Sequence, residues 1–379
     1  MGQARSKLLE KLSKLHRLHK GLINIMPLQT GGLLTQAARE ALIEFGDGYS
    51  VCDFCLGSLS NITNPPIQEF VHELLPPFLG SEVATITHGA REGIFMVMHS
   101  LAQPGDSIIV DGNRHYTTIV AAERVGLNVI GVPNFGYPEF KINVNDYIPL
   151  IEKHKPKLIL LTYPDGSYGN LPDAKKLGEL AQKYDIPYIL NGAYSVGRMP
   201  VNMADIGADF IVGSGHKSMA SAGPCGVLGM RKKWEDIVLR KSQAYSNKEI
   251  ELLGCTLRGV PLITLMASFP HVQERVLHWD EQVSKAQWFS AELEKLGFKQ
   301  AGEKPHRHDL LYFETPMLYD VSRHVRERGY FLYKELKERG IWGPQPGLTK
   351  AFKVSTFAAD RKQLGFVIDS FKAILSKYS

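Results

Sequence analysis

The chain has 379 residues, 44% of them apolar and 22% charged, enough for a large core, and this composition excludes a disordered chain. No apolar run approaches the ~18 residues of a membrane span, the N-terminus lacks a secretory signal, and four cysteines are too few for a disulfide framework, so a soluble protein of the reducing cytoplasm is expected. The net charge is +5, and residues 1–20 account for all of it, with Arg5, Lys7, Lys11, Lys14, Arg17 and Lys20 against Glu10.

On that first segment Leu8, Leu12, Leu15 and Leu18 recur at helical spacing, which predicts a basic amphipathic helix in an N-terminal arm, residues 1–29. Such a helix docks on a partner, on nucleic acid or on an anionic membrane, or packs on its own protein with its lysines in solvent. Cys52 and Cys55 follow as a C-x-x-C pair, close enough for a disulfide or a shared metal, or simply two buried small residues. No second C-x-x-C completes a four-cysteine zinc site, and the histidines show no ligand spacing.

Thr87-His88-Gly89-Ala90-Arg91-Glu92-Gly93 opens a helical run, and a glycine loop at a helix start offers free N–H groups to an anion, with Arg91 adding a charged contact. From residue 106 the pattern alternates strand and helix. Apolar runs at 107–111, 129–133, 158–162 and 188–190 are separated by helical stretches, among them 173–184. Such runs predict a parallel sheet buried on both faces. Two polar signals sit just after strands. Asn113-Arg114-His115-Tyr116 places an imidazole able to stack on a flat heteroaromatic ring, and Asn191 begins Asn-Gly-Ala-Tyr.

Strands are expected at 210–213 and 226–230, around Ser214-Gly215-His216-Lys217. A lysine after a buried strand and a glycine turn is poorly solvated, which lowers its pKa and suits it to a Schiff base. Cys225 reads as packing, and Cys255 stands alone in LLGCTLRG. This α/β domain spans about residues 30–265. Beyond it, 270–296 reads as helix, 309–314 and 350–356 as strands, 341–349 as a Pro/Gly loop and 362–377 as the last helix. A smaller α+β domain at 266–379 is expected.

Phosphate loop, stacking residue, ring-nitrogen partner and strand-borne lysine occur in the order found in fold-type-I pyridoxal-phosphate enzymes. A nicotinamide enzyme is disfavoured because no G-x-G-x-x-G follows the first strand. The stretches NIMPLQTGG, GDGYSVCDFC, THGARE, TYPDGSYGNLPD, NGAYSVGRMP, ADFIVGSGHKSM, ELLGCTLRG and ITLMASFPHV go further, as do HDLLYFE, FLYKELK and GLTKAFKVST near the C-terminus. Through them the chain closely resembles the archaeal O-phosphoseryl-tRNA:cysteinyl-tRNA synthases.

The resemblance implies a fold-type-I homodimer with pyridoxal 5'-phosphate on Lys217. Ala90, Arg91, Asn191, Ser214, Gly215 and His216 would hold the cofactor, and His115 would stack on its ring. Cys52, Cys55 and Cys255 would carry sulfur, as a persulfide or through an iron–sulfur cluster, and would converge near the cofactor across the dimer interface. The substrate would be phosphoseryl-tRNA(Cys), and phosphoseryl-tRNA synthetase and a small bridging protein would be partners. Arg258 or His216 would supply a cation for phosphate departure. Lys353 stands where cysteine desulfurases place an arginine on the substrate carboxylate. The alternatives are a desulfurase-like enzyme acting on a free amino acid, and a catalytically idle tRNA-binding module.

Overall fold

The computed structural model describes residues 9–27, 30–47, 66–254 and 259–378. Its centre is a seven-stranded sheet in the order β2 (Val83–Thr87), β8 (Gly226–Met230), β7 (Phe210–Ser214), β6 (Tyr188–Asn191), β5 (Leu158–Thr162), β3 (Ser107–Asp111), β4 (Asn128–Val132). Successive residues of one strand enter opposite cores. Ile109, Ile159, Leu161, Leu190 and Ile211 join Leu177 and Phe269 on one face. Ile108, Val110, Leu160, Ile189 and Val212 join Ile94, Val97 and Ala122 on the other. A strand apolar on both sides of its pleat has to be sandwiched between helices, which is why these runs were legible without alternation.

Strands β3 to β7 are mutually parallel, as expected, whereas β8 pairs antiparallel with both β7 and β2. The link after β7 stays at the strand's carboxyl end, so β8 must start there and run back. The β2 strand was not foreseen; its alternating threonines dilute the apolar run.

The second layer of structure is a three-stranded antiparallel sheet, β12 (Ala351–Ser355), β10 (Leu310–Glu314), β9 (Lys299–Ala301). Helices Trp279–Lys295 and Arg361–Tyr378 cover it through Phe289, Leu293, Val367 and Phe371. Helix Gly259–Leu277 runs straight through residue 265, the expected domain boundary, and its Leu262, Leu265, Phe269 and Val272 all belong to the large core. The expected helix at 270–296 is two helices, interrupted at His278, with Pro270 inside the first.

The N-terminal reading needs correction. Among the described residues of the arm's first twenty positions only 9–13 are helical, so Leu15 and Leu18 lie on irregular backbone, and Leu9, Leu12, Leu15 and Leu18 are all exposed. The arm is held further along. Its β1 (Ile23–Asn24) pairs in parallel with β11 (Ile341–Trp342), inside the stretch expected to be loop, and His19 stacks on Trp342 with ring centroids 4.7 Å apart. Among the described residues no helix is long and apolar enough to cross a membrane.

Candidate active site

The carboxyl ends of β5, β6 and β7 lie side by side, with Thr162 opposite Asn191 and Asn191 opposite Val212 in register. A cavity of about 320 Å³ opens there, and Ala90, Arg91, His115, Asn191, Ser214, His216 and Lys217 all line it. Gly215 is buried beside it, and a Cβ there would meet Ser221 Oγ at 2.8 Å. A larger cleft of about 840 Å³ beside Met199 and Leu277 has no lysine, histidine or cysteine among the described residues of its wall, so they offer no comparable chemistry.

Each side chain is set by the element that carries it. Helix Ala90–Leu101 begins at Gly89, whose φ of 126° suits glycine alone, and no side chain caps it. Its first-turn N–H groups and dipole therefore face the cavity as an anion site, with Arg91 in the same turn. His115 is the N-cap of helix Tyr116–Val125, and its Nδ1 accepts the Thr117 N–H at 3.3 Å. Burial first, then the charges of Lys217, Lys353 and Arg91, push its pKa down to about 4. At neutral pH the ring is uncharged, which suits a face laid on another ring.

Asn191 is the last residue of β6, 3% exposed, and its Oδ1 accepts the Ala193 N–H at 3.3 Å. Lys217 lies on the one-turn helix Gly215–Ser218 directly after β7. Its Nζ is 4.8 Å from the Tyr194 ring centroid. Burial, then Arg91, Arg198 and Lys353, lower its pKa to about 8, so an appreciable share of the amine is unprotonated near neutrality. An uncapped helix start, a neutral imidazole, an amide at a strand end and a softened lysine fit a phosphorylated pyridine aldehyde.

His216 lines the cavity, but its Nδ1–H donates to the Cys225 carbonyl at 3.2 Å. Burial, Lys217 and Arg91 lower its pKa despite that bond, so it is a poor cation for phosphate departure. Cys225 is 1% exposed and burial pushes its thiol up to about 12, consistent with packing. Lys353 reaches the rim of the cavity, where its Nζ donates to the Gly166 carbonyl at 2.8 Å. The loop bearing Gly166 is shaped by buried Asp165, which accepts the N–H groups of Ser167, Tyr168 and Asn170 at 2.9, 2.6 and 3.1 Å. Cys52, Cys55, Cys255 and Arg258 lie outside the described residues. No group of three His, Cys, Asp or Glu among the described residues could hold a metal.

Tyr194 and Thr162 also line the cavity and were missed. Tyr194 follows Asn191 by three residues, and that position past a strand end was the available signal. Thr162 ends a run that read as pure core. Its hydroxyl and N–H both donate to Asp111 Oδ2, at 2.9 and 2.8 Å. Asp111 is 1% exposed, and its Oδ1 has no partner among the described residues. Burial raises its pKa from 3.8 to about 7, against the Thr162 bonds and Arg114 and helped by Asp165. A raised carboxyl contributes fully below its unfolded value of 3.8, and that contribution is lost progressively as pH rises from there through the folded value of about 7. Urea midpoints compared between wild type and Asp111→Asn should therefore diverge, the variant losing less stability from pH 5 to 8. Parallel curves would show that Asp111 is already ionised in the folded chain below pH 5.

Comparisons with known proteins agree in one direction. The model of a family described as O-phosphoseryl-tRNA(Sec) selenium transferase matches residues 59–370. The O-phospho-L-seryl-tRNA:Cys-tRNA synthase of Methanosarcina acetivorans is 56% identical over 376 residues, 98% of this chain and 97% of that one. Its counterpart in Methanocaldococcus jannaschii is 48% identical over 374 residues, 97% and 99% of the two chains. Among solved structures, a SepCysS–SepCysE N-terminal domain complex matches with a TM-score of 0.92 and 47% identity, covering 98% of this chain and 99% of that one. An apo cysteine desulfurase from Thermococcus onnurineus matches with a TM-score of 0.76 at 17% identity, over 94% and 95% of the chains, a likeness of fold alone. The fold is that of the fold-type-I pyridoxal-phosphate enzymes.

Proposed function

Because the chain belongs to the O-phosphoseryl-tRNA:cysteinyl-tRNA synthase family, we propose that it makes cysteinyl-tRNA(Cys) from phosphoseryl-tRNA(Cys) by replacing the β-phosphate with sulfur, using pyridoxal phosphate held on Lys217. The observation that carries the reading is Lys217 itself, softened to about 8 in a cavity that also gathers an uncapped helix start, Arg91, His115 and Asn191. When bound, the cofactor supplies stabilisation of the negative charge left at the substrate α-carbon.

The chain's own residues do the rest. Ala90, Arg91 and Ser214 would hold the cofactor phosphate, and the His115 face would fix the ring. Asn191 would offer the ring nitrogen an amide. A neutral amide keeps a proton there less firmly than a carboxylate would, and a leaving group as good as phosphate lessens the need for a strong electron sink. Lys217, once free, takes the α-proton as general base. Cys52, Cys55 and Cys255 carry the sulfur. A persulfide on one of them gives its outer sulfur to the β-carbon as phosphate leaves. A second cysteine thiolate then attacks the inner sulfur, which releases the product thiol and leaves an enzyme disulfide for an external thiol to reduce. The assembly is a cytoplasmic homodimer. The basic N-terminal arm, with its exposed leucines, serves the synthetase or a small bridging protein; the matched structure is itself a complex, of SepCysS with a SepCysE N-terminal domain.

The desulfurase-like alternative rests on fold likeness alone, and an idle tRNA-binding module does not account for the gathered Lys217 cavity. The test gives the full-length, cofactor-loaded enzyme three substrates in parallel: phosphoseryl-tRNA, free phosphoserine and free cysteine, each with a sulfide or persulfide donor. Cysteine on tRNA in the first arm alone is expected. Sulfur release from free cysteine at a higher rate would replace this reading with the desulfurase one.

A further inference from the structure

The largest fully buried side chain of the described residues is a charged one, Arg198, 0% exposed, and no step above uses it. It follows the Asn191–Tyr194 turn in the large domain. Its Nη1 donates to both carboxylate oxygens of Asp309, at 3.3 and 3.1 Å, and its Nη2 donates to Thr30 Oγ1 at 2.9 Å. Asp309 precedes β10 of the small domain and is also 0% exposed. Ser355 of β12 completes the ring: its hydroxyl donates to Asp309 Oδ2 and lies 3.2 Å from Thr30 Oγ1. Four residues from distant parts of the chain, Thr30, Arg198, Asp309 and Ser355, thus close one hydrogen-bonded ring. The groups around it are consistent with a fixed charge. His308 is buried and neutral, its pKa lowered to about 4; its Nδ1 accepts the Leu310 N–H at 3.1 Å and its Nε2–H faces the Tyr194 carbonyl at 3.4 Å. The Phe357 and Tyr194 ring centroids lie 4.7 and 5.6 Å from the guanidinium carbon.

The same segments press on the catalytic turn. A Cβ on Gly31 would meet Arg198 Nη2 and the Lys217 carbonyl, each at 2.8 Å, and one on Gly32 would clash with the His216 carbonyl. Arg275 ties the arrangement from behind, donating to the carbonyls of Gly31 at 3.1 Å, Gly197 at 2.9 Å, and Ser218. On β12, Lys353 and Ser355 alternate to the same side, with Phe352 and Val354 turned into the small core. The contact that seats Ser355 therefore also sets where Lys353 meets the Gly166 carbonyl.

We propose that Arg198 is a positioning residue of this active site: its guanidinium clasps the N-terminal turn through Thr30 and the small domain through Asp309, and so fixes the turn that carries Lys217. Around Lys217 the charged and titratable neighbours are Arg91, Arg198 and Lys353, with His115, His216 and Tyr194 on the cavity wall. Arg198 thus acts on Lys217 by geometry and by field. A structural ion pair remote from the site would do neither. The inference rests on the reading of Lys217 as the reactive amine, but not on the choice of substrate.

The test compares full-length wild type with Arg198→Met, Arg198→Lys and Thr30→Val. Lys217 in the cofactor-free chain is trace-labelled with acetic anhydride across pH 6–11 and read as peptide mass. Hydrogen exchange is followed in residues 215–218 and 351–355. In wild type, half-labelling is expected at a pH of about 8. Arg198→Met should raise it by about half a unit to one unit, since a nearby positive charge is gone. Arg198→Lys should leave it nearly unchanged. Faster exchange at both segments is expected in Arg198→Met and Thr30→Val, with kcat lowered and KM little altered. A folded Arg198→Met with wild-type titration and exchange overturns the proposal. Should Arg198→Met not fold, the other two variants decide: unchanged exchange in both overturns it, and faster exchange at 215–218 supports it. Neither the titration nor the exchange needs turnover, so a failed tRNA assay beside a shifted titration would count against the proposed function alone.

Discussion

Lys217→Ala should abolish cysteinyl-tRNA formation and the visible absorbance of the cofactor-loaded enzyme together. Two roles are lost at once. On the proposed mechanism the amine that holds the cofactor would be gone, and so would the base beside the substrate α-carbon. General-base catalysis alone is worth about 10²–10⁴-fold. Among the described residues neither cavity histidine replaces it, because His115 is pushed down to about 4 and its Nδ1 is committed to Thr117, while His216 is held by the Cys225 carbonyl. The rate would be measured in single turnover with enzyme in excess of phosphoseryl-tRNA, and the spectrum on the same sample. An alanine variant turning over at the wild-type rate would remove Lys217 from the mechanism and the cavity from the site.

Lys353→Arg should shift the enzyme from the tRNA ester toward the free amino acid. Lys353 stands at the cavity rim with its Nζ on the Gly166 carbonyl, and ammonium is a point charge without a fork. A free amino acid presents a carboxylate with two equivalent oxygens. In an aminoacyl-tRNA the same carboxyl is an ester of the terminal ribose, uncharged and without a second equivalent oxygen. Arginine here would gain a bidentate partner in the first case and none in the second. Charged hydrogen bonds contribute about 1.5–3 kcal/mol, or roughly 10–100-fold in relative kcat/KM. Wild type and variant would be compared on free phosphoserine and on phosphoseryl-tRNA. The expected result is a wild type that discriminates strongly against the free amino acid and a variant that does so less. Equal use of both substrates by wild type would sink the specificity argument and the assignment of the tRNA substrate with it.

What could be read from the residues alone was whatever physics acts at short range along the chain. Strands buried on both faces must be continuously apolar, so β3, β5, β6 and β7 stood out, and groups at or just past their carboxyl ends, Asn191 and Lys217 among them, line the cavity. Leucine spacing also acts locally, yet it misled at the N-terminus, because a short amphipathic pattern becomes helical mainly when its apolar face finds a partner, and Leu12, Leu15 and Leu18 remain exposed. Tertiary structure alone decided which distant residues meet. Thr162 reached the cavity wall because β5 and β6 pair in one register, and Arg198 met Asp309, 111 residues away, because the small domain docks on the Asn191–Tyr194 turn. An arginine and an aspartate in the sequence look like any solvated pair. Only when packing strips water from both does each require the other, and that desolvation is a property of the assembled layers, which no local pattern encodes.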